Sequence, residues 1–175
     1  MALAKEINGS CALCPNDWKF SYANLAAQEY GRYNKNILQK VYDAQEESDL
    51  PKIILKQFQG QDYGFVYKDE YLAMFYDVHQ DQPTHLLVLP VEHIEKLHIL
   101  KYPHILMRMY CAANMVVELC NLAEVYIAVS SKKANTDYIP HFHMHVQSRS
   151  STTFEQLKNT LYDKFYEDSE FFVNY

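Results

Sequence analysis

An α+β domain on one antiparallel sheet of about five strands is predicted by three features: short strand-like runs bounded by turn residues, one long amphipathic helical run between the third and fourth of them, and no regular βαβ alternation. The first strands form a hairpin, Tyr63 to Tyr67 and Tyr71 to Tyr76, around the turn Lys68-Asp69-Glu70. Pro83 and Pro90 delimit a third strand, Thr84 to Leu89, since proline cannot donate to a ladder. Glu92 to Leu100 reads as a short helix. Pro103 suits the first turn of the long helix, which runs to about Leu122 with Ile105, Leu106, Met109, Val116 and Leu119 facing a core. Strands at Glu124 to Ser130 and Phe142 to Ser148 follow, joined by a polar loop. Ahead of this core lie an irregular segment over residues 1–20 and a helical pattern from Ser21 to Glu47, with Gly31 a weak point and Asp49-Leu50-Pro51 a stop. A C-terminal helix begins near Thr153, where Thr152-Thr153-Phe154-Glu155 offers caps. The chain thus reads as a single domain over 1–175, with an N-terminal segment and inserted helix (1–60), a core (61–150) and a helical tail (151–175).

Composition narrows the function. A chain of 175 residues, 49% hydrophobic and with only 4 glycines, can bury one proper core without disulfides. The net charge of −6 comes from interspersed acidic and basic residues, which argues against a general nucleic-acid binder but allows a small anionic ligand. The start Met1-Ala2-Leu3-Ala4-Lys5-Glu6 lacks the basic and apolar regions of a secretory signal. No apolar run approaches the ~18–20 residues that span a bilayer, so no membrane partner is expected. Cys11 and Cys14 form a close pair, while Cys111 and Cys120 sit in a helical stretch. That spacing reads as reduced thiols in a cytoplasmic protein rather than a secreted disulfide framework.

The most informative segment is Pro140-His141-Phe142-His143-Met144-His145-Val146. Strand side chains alternate faces, so the three histidines share one side and Phe142, Met144 and Val146 the other. The apolar trio can pack on a helix. Folding does not require the imidazoles, which are poor sheet formers and repel one another when charged. Three solvated histidines on a polar face is the bland alternative. Two chemistries would use the row: metal binding, or attack by a neutral imidazole on phosphorus while its neighbours hold the phosphate oxygens. Close packing favours neutral rings that titrate as a coupled set. A cupin-type metal site would want Glu and then Gly shortly after, and Gln147-Ser148-Arg149-Ser150 follows instead, so the metal-enzyme reading loses ground.

His-Phe-His-Met-His-Val, with Arg149 four residues after the last His, resembles the motif of the histidine-triad (HIT) superfamily. A second block, Phe75-Tyr76-Asp77 through Pro83-Thr84-His85 to Pro90-Val91-Glu92-His93, is similar to the family stretch in which Asp follows the second strand and a His opens the third. The resemblance implies that His143 is a nucleophile forming a covalent nucleotidyl-histidine, with His141 and His145 orienting it and binding the phosphate or leaving group. His85 would be a fourth histidine supporting the row, Asp77 would bind ribose hydroxyls, and Phe75 and Val78 would lie near the base. Turn capping is the bland alternative for Asp77. Since His145 fills the third triad position, the hydrolase branches fit better than the transferases. The implied activity is cleavage of a phosphoanhydride or phosphoramidate bond at the α-phosphate of a small nucleotide substrate, by a homodimer that needs no metal for catalysis.

Two departures qualify the resemblance. The loop Ser130 to Pro140 has no glycine, where family members usually carry a Gly-rich or Gly-Gln-Ser-like loop, and Gln147 stands where an apolar residue is usual. The missing glycines favour an alternative, a nucleotide-binding regulatory or interaction protein with little turnover. A third reading is a histidine-metal oxidoreductase or hydrolase, which would require stoichiometric metal. Cys11 and Cys14 can pinch one zinc ion but need two more ligands. The resemblance implies His93 and His141 for those, in a structural site, whereas the long segment 20–60 would carry the pair away from the sheet.

Overall fold

A computed structural model describes residues 11, 13–15, 40, 43–49, 65–77, 81–129, 139–153, 156, 157 and 159–161. The first hairpin closes through Asp69, whose carboxylate accepts from the backbone N–H of Tyr71 (2.7 Å) and Leu72 (2.6 Å). This local bonding is why Asp serves at a tight turn. It joins β1 (Phe65–Lys68) to β2 (Leu72–Tyr76), followed by β3 (Thr84–Pro90), helix α1 (Pro103–Leu119), β4 (Val125–Ala128) and β5 (Met144–Ser148). The sheet runs β1-β2-β3-β5-β4, with every neighbour antiparallel. This is the predicted α+β fold.

The sheet has a different task on each face. On one, Val66, Leu72, Met74, Leu86, Val88, Met144 and Val146 join Ile105, Met109, Ala112, Ala113 and Val116 of α1 in the main core. On the other, Phe65, Ala73, Phe75, Leu87 and Leu89 form a smaller cluster with Leu13. The central strands β2 and β3 are therefore buried throughout. β5 alternates buried Met144, Val146 and Ser148 with half-exposed His145 and Gln147.

The C-terminal helical residues start from a capping box. Gln156 N–H donates to Thr153 Oγ1 (3.2 Å), and Thr153 N–H donates back to Gln156 Oε1 (2.9 Å). Leu157 and Leu161 enter the main core fully buried. Truncating Leu161 to Ala should cost about 2–5 kcal/mol, read as a lower denaturant midpoint at unchanged slope. A cost within error of zero would mean that the tail is not part of the cooperative unit.

Several boundaries differ from expectation. Residues 92–98 do not form a helix, because their backbone pairs elsewhere: Phe142 N–H donates to Ile94 O (2.7 Å), Lys96 N–H donates to Pro140 O (2.8 Å), and Glu95 bridges His141. Only Ile99–Lys101 makes a 3-10 turn. The same pairing delays β5 until Met144. α1 stops at Leu119 and β4 starts at Val125 because Asn121 (φ 48°) and Glu124 (φ 50°) take left-handed backbone, which ends a helix and cannot continue a strand. Of the N-terminal helix expected to Glu47, Lys40 and Asp43 are helical, Ala44 to Glu46 are not, and Glu47–Asp49 make a 3-10 turn; its other residues lie outside the described ones, as does the loop 130–138. Among the described residues no helix is long and apolar enough to cross a membrane.

Candidate active site and metal cluster

Strand alternation, with Phe142, Met144 and Val146 in the core, turns His143 and His145 to the face opposite α1. The antiparallel register pairs Leu87 with His145 and His85 with Gln147, so His85 lies diagonally beside His145. Ring centroids are 5.2 Å apart for His85 and His145, and 5.0 Å for His143 and His145.

His143 is 4% exposed, and its Nδ1 lies 2.8 Å from the carbonyl of His141. A carbonyl only accepts, so Nδ1 carries the proton and the ring's lone pair is on Nε2. Burial pushes the pKa of His143 down to about 3, opposed by the His141 carbonyl and aided by the charges of Lys96, His145 and His141. His145 is also lowered, first by burial and then by His85, with Asp77 opposing. The row is thus held neutral near pH 7, as a nitrogen nucleophile requires.

Around His85 the site is polar. His85 Nε2 lies 2.9 Å from His145 Nδ1, and the Asp77 carboxylate sits 3.3 Å from His85 Nε2 and 3.8 Å from His145 Nδ1. Asp81 Oδ1 is 2.8 Å from His85 Nδ1, an ion-pair distance without hydrogen-bond alignment, so that buried nitrogen makes no hydrogen bond among the described residues. Gln147 Nε2 reaches both Asp81 oxygens (2.9 and 3.1 Å) and His85 Nε2 (3.4 Å). Phe75 lies buried on the histidine face of β2, edge-on to Phe65. Val78 lies outside the described residues.

His141 is turned differently from its two neighbours. Its Nε2–H donates to Pro90 O (2.9 Å), which leaves the lone pair on Nδ1, 3.7 Å from Cys11 Sγ and 3.8 Å from Cys14 Sγ. His93 Nδ1 is 3.4 Å from Cys14 Sγ. Bonds of zinc to thiolate and imidazole at tetrahedral angles give a sulfur–nitrogen edge of about 3.6 Å, so these separations suit one ion in the middle. The four ligand atoms lie within 4.8 Å of one another and can hold a metal. The Pro90 carbonyl fixes this tautomer, as an outer partner would for an imidazole that binds a metal. Cys14 N–H donates to Cys11 O (3.0 Å) in a tight turn whose Leu13 inserts between the sheet's apolar residues. That insertion holds the pair on the sheet, against the expectation that the segment 20–60 would carry it away.

Both nitrogens of His141 are therefore engaged away from the row, and its link to His143 is its backbone carbonyl. Arg149 forms a surface pair with Glu124 (3.0 Å) rather than facing the histidines. Three residues at the site have no role that the sequence alone assigns. Asp81 stands four residues before His85, and Gln147 is the next residue after His145 on the same strand face; both spacings are visible in the sequence. Lys96, whose charge acts on His143 and His145, carried no such signal.

The HIT domain model matches residues 59–152, more than half of the chain. The chain belongs to the HIT family. Among solved structures it is similar to a HIT family hydrolase from Clostridium thermocellum, at 27% identity and a TM-score of 0.43, covering 55% of this chain and 85% of that one. It is similar also to a histidine triad protein from Clostridium difficile (21%, TM-score 0.42, covering 50% and 80%). A zinc-bound histidine triad family protein from Mycobacterium smegmatis is a third (20%, TM-score 0.47, covering 59% and 86%). No curated protein matches the sequence.

Proposed function

We propose that this chain hydrolyses a phosphoanhydride or phosphoramidate bond at the α-phosphate of a nucleotide through a covalent nucleotidyl-His143 intermediate. The observation that supports it best is the hydrogen bond from His143 Nδ1–H to His141 O, which makes Nε2 the nucleophilic atom of a neutral ring. In the first step an Nε2–phosphorus bond forms as the bond to the leaving group breaks, and the leaving group departs with the electrons of that bond and takes up a proton from solvent. Water then attacks phosphorus, the P–N electrons return to Nε2, and a mononucleotide is released. His145, beside His143, takes the proton of the attacking water, and His85 supports His145. Lys96 adds positive potential toward an anionic substrate. His141 contributes its carbonyl and, through its ring, the metal cluster.

Cys11, Cys14, His93 and His141 would hold zinc. With four protein ligands such an ion has no open position for substrate, so its contribution is structural. Release of mononucleotide from a panel of dinucleoside polyphosphates and nucleoside phosphoramidates tests the hydrolase reading. The glycine-free loop favours the second reading, a nucleotide-binding regulator, which predicts nucleotide affinity with no release.

Asp77 is assigned to the ribose diol, for which a carboxylate is a bidentate acceptor. Asp77→Asn should weaken ribonucleotides by about ten- to a hundredfold, the worth of charge-assisted hydrogen bonds, and 2′,3′-dideoxy analogues far less. Equal weakening of both in a direct binding measurement would place Asp77 in service of His85 and His145 instead.

A further inference from the structure

The polar group around His85 contains more than the family motif supplies. Gln147 occupies a position on β5 where an apolar side chain would do equally well for folding, since it is half-exposed and outside both apolar clusters. It spends its amide on Asp81 and His85.

The protons in this group follow from chemistry. An ionised carboxylate accepts and never donates, so Gln147 must present its amide N–H groups to Asp81. The same nitrogen faces His85 Nε2 at 3.4 Å, and amide N–H groups are donors, so this contact favours a lone pair on His85 Nε2. The Asp81 carboxylate, 2.8 Å from His85 Nδ1, favours the proton there. With His85 Nε2 as acceptor, His145 Nδ1 at 2.9 Å must be the donor. The lone pair of neutral His145 is then on Nε2. Asp77 opposes this arrangement, because its carboxylate 3.3 Å from His85 Nε2 would draw a proton onto that atom. The Gln147–Asp81 pair is what tips His85 the other way.

We propose that Asp81 and Gln147 are positioning residues that fix His85 as a hydrogen-bond acceptor, and thereby lock His145 in the Nδ1–H tautomer with Nε2 ready to take a proton. This deepens the hydrolase reading and rests on it for its consequence. In the second step water adds to phosphorus as the P–N bond breaks, and the water proton passes to His145 Nε2. His145 becomes an imidazolium whose Nδ1–H is already bonded to His85, and it later returns the proton to solvent. Were His85 to flip, donating from Nε2 to His145 Nδ1, the His145 Nε2 would carry a hydrogen and could not accept.

The test uses Gln147→Leu and Asp81→Asn in the full chain; Gln147 is half-buried, Asp81 is exposed, and both lie outside the apolar clusters, so that folding is not the readout. Two-bond proton–nitrogen spectra of nitrogen-15-histidine protein at neutral pH should show His145, assigned by its loss in His145→Ala, as the Nδ1–H tautomer in the native chain. In each variant it should be mixed. With a hydrolysed nucleotide, kcat should fall about tenfold while KM stays within about twofold, the pattern of an oriented proton acceptor rather than of a binding contact. An unchanged tautomer in both variants overturns the proposal, and so does a shifted tautomer with unchanged kcat. If the native chain releases no mononucleotide, the hydrolase reading fails, and the spectra alone decide whether Asp81 and Gln147 set His145.

Discussion

Replacing His143 with Ala should lower kcat on any substrate of the native chain by on the order of 10⁴-fold or more, with nucleotide affinity nearly unchanged. Removal of the nucleophile in a covalent mechanism abolishes the two-step route and leaves only the binding and electrostatic contributions of the rest of the site. Among the three histidines, His143 stands between its neighbours with a tautomer fixed by the His141 carbonyl. The fold should survive at a cost of about 1–3 kcal/mol, because the substitution leaves a buried carbonyl without its donor. A second signature is in acid. The folded pKa of His143 lies near 3, below the ordinary 6.5, so the native state binds fewer protons than the unfolded chain between those values. Its neutral burial is fully stabilising above about pH 6.5, and that contribution is lost as pH falls toward 3. His143→Ala should therefore lose less stability than the native chain between pH 7 and pH 4.5, measured by denaturant titration at each pH. Near-normal turnover in purified His143→Ala would remove the nucleophile assignment outright.

What was legible in the sequence was whatever depended on local period. Alternation across 141–146 separates Phe142, Met144 and Val146 from the row, and β5 does so. Pro83 and Pro90 bracket β3, with Pro90 its last residue, and Thr153 serves as a helix cap, its partner being Gln156. What was not legible depended on pairing between distant segments. Residues 92–100 have helical composition, yet the carbonyls of Ile94 and Pro140 find their donors across the 94–96 and 140–142 strand-like contact. The same contact brings His93 and His141 side by side (ring centroids 4.9 Å), which no spacing within either segment reveals. Likewise Gln147 acquires its role only because β3 and β5 pair His85 with Gln147; a one-residue slip would turn it into the core. The convergence of Cys11 and Cys14 on those histidines was reached by resemblance, and its physical cause, Leu13 anchoring the turn in the apolar cluster, is visible only in three dimensions.

Changing Cys11 and Cys14 together to Ser should release about one zinc per chain and lower the melting temperature by about 10 °C or more. The ligand atoms are already gathered: three sulfur–nitrogen separations of 3.4, 3.7 and 3.8 Å lie near the edge of a zinc-centred tetrahedron. Gathering them in the unfolded chain would require ordering segments from both ends of the domain, so binding free energy is returned as folding free energy. A loss of about 4 kcal/mol would shift the midpoint of a chain this size by about 8–16 °C. Burial raises the Cys11 thiol above its ordinary value, so without a metal that thiol stays protonated. Because an ion held by four protein ligands would have no open position for substrate, some turnover should persist in the double variant at low temperature. Metal analysis of native protein purified without a histidine tag, alongside melting curves with and without a chelator, checks both parts. Native protein free of zinc, or a melting temperature insensitive to chelator and to the double substitution, would mean that the cluster is held by Leu13 packing and hydrogen bonds to the thiols alone.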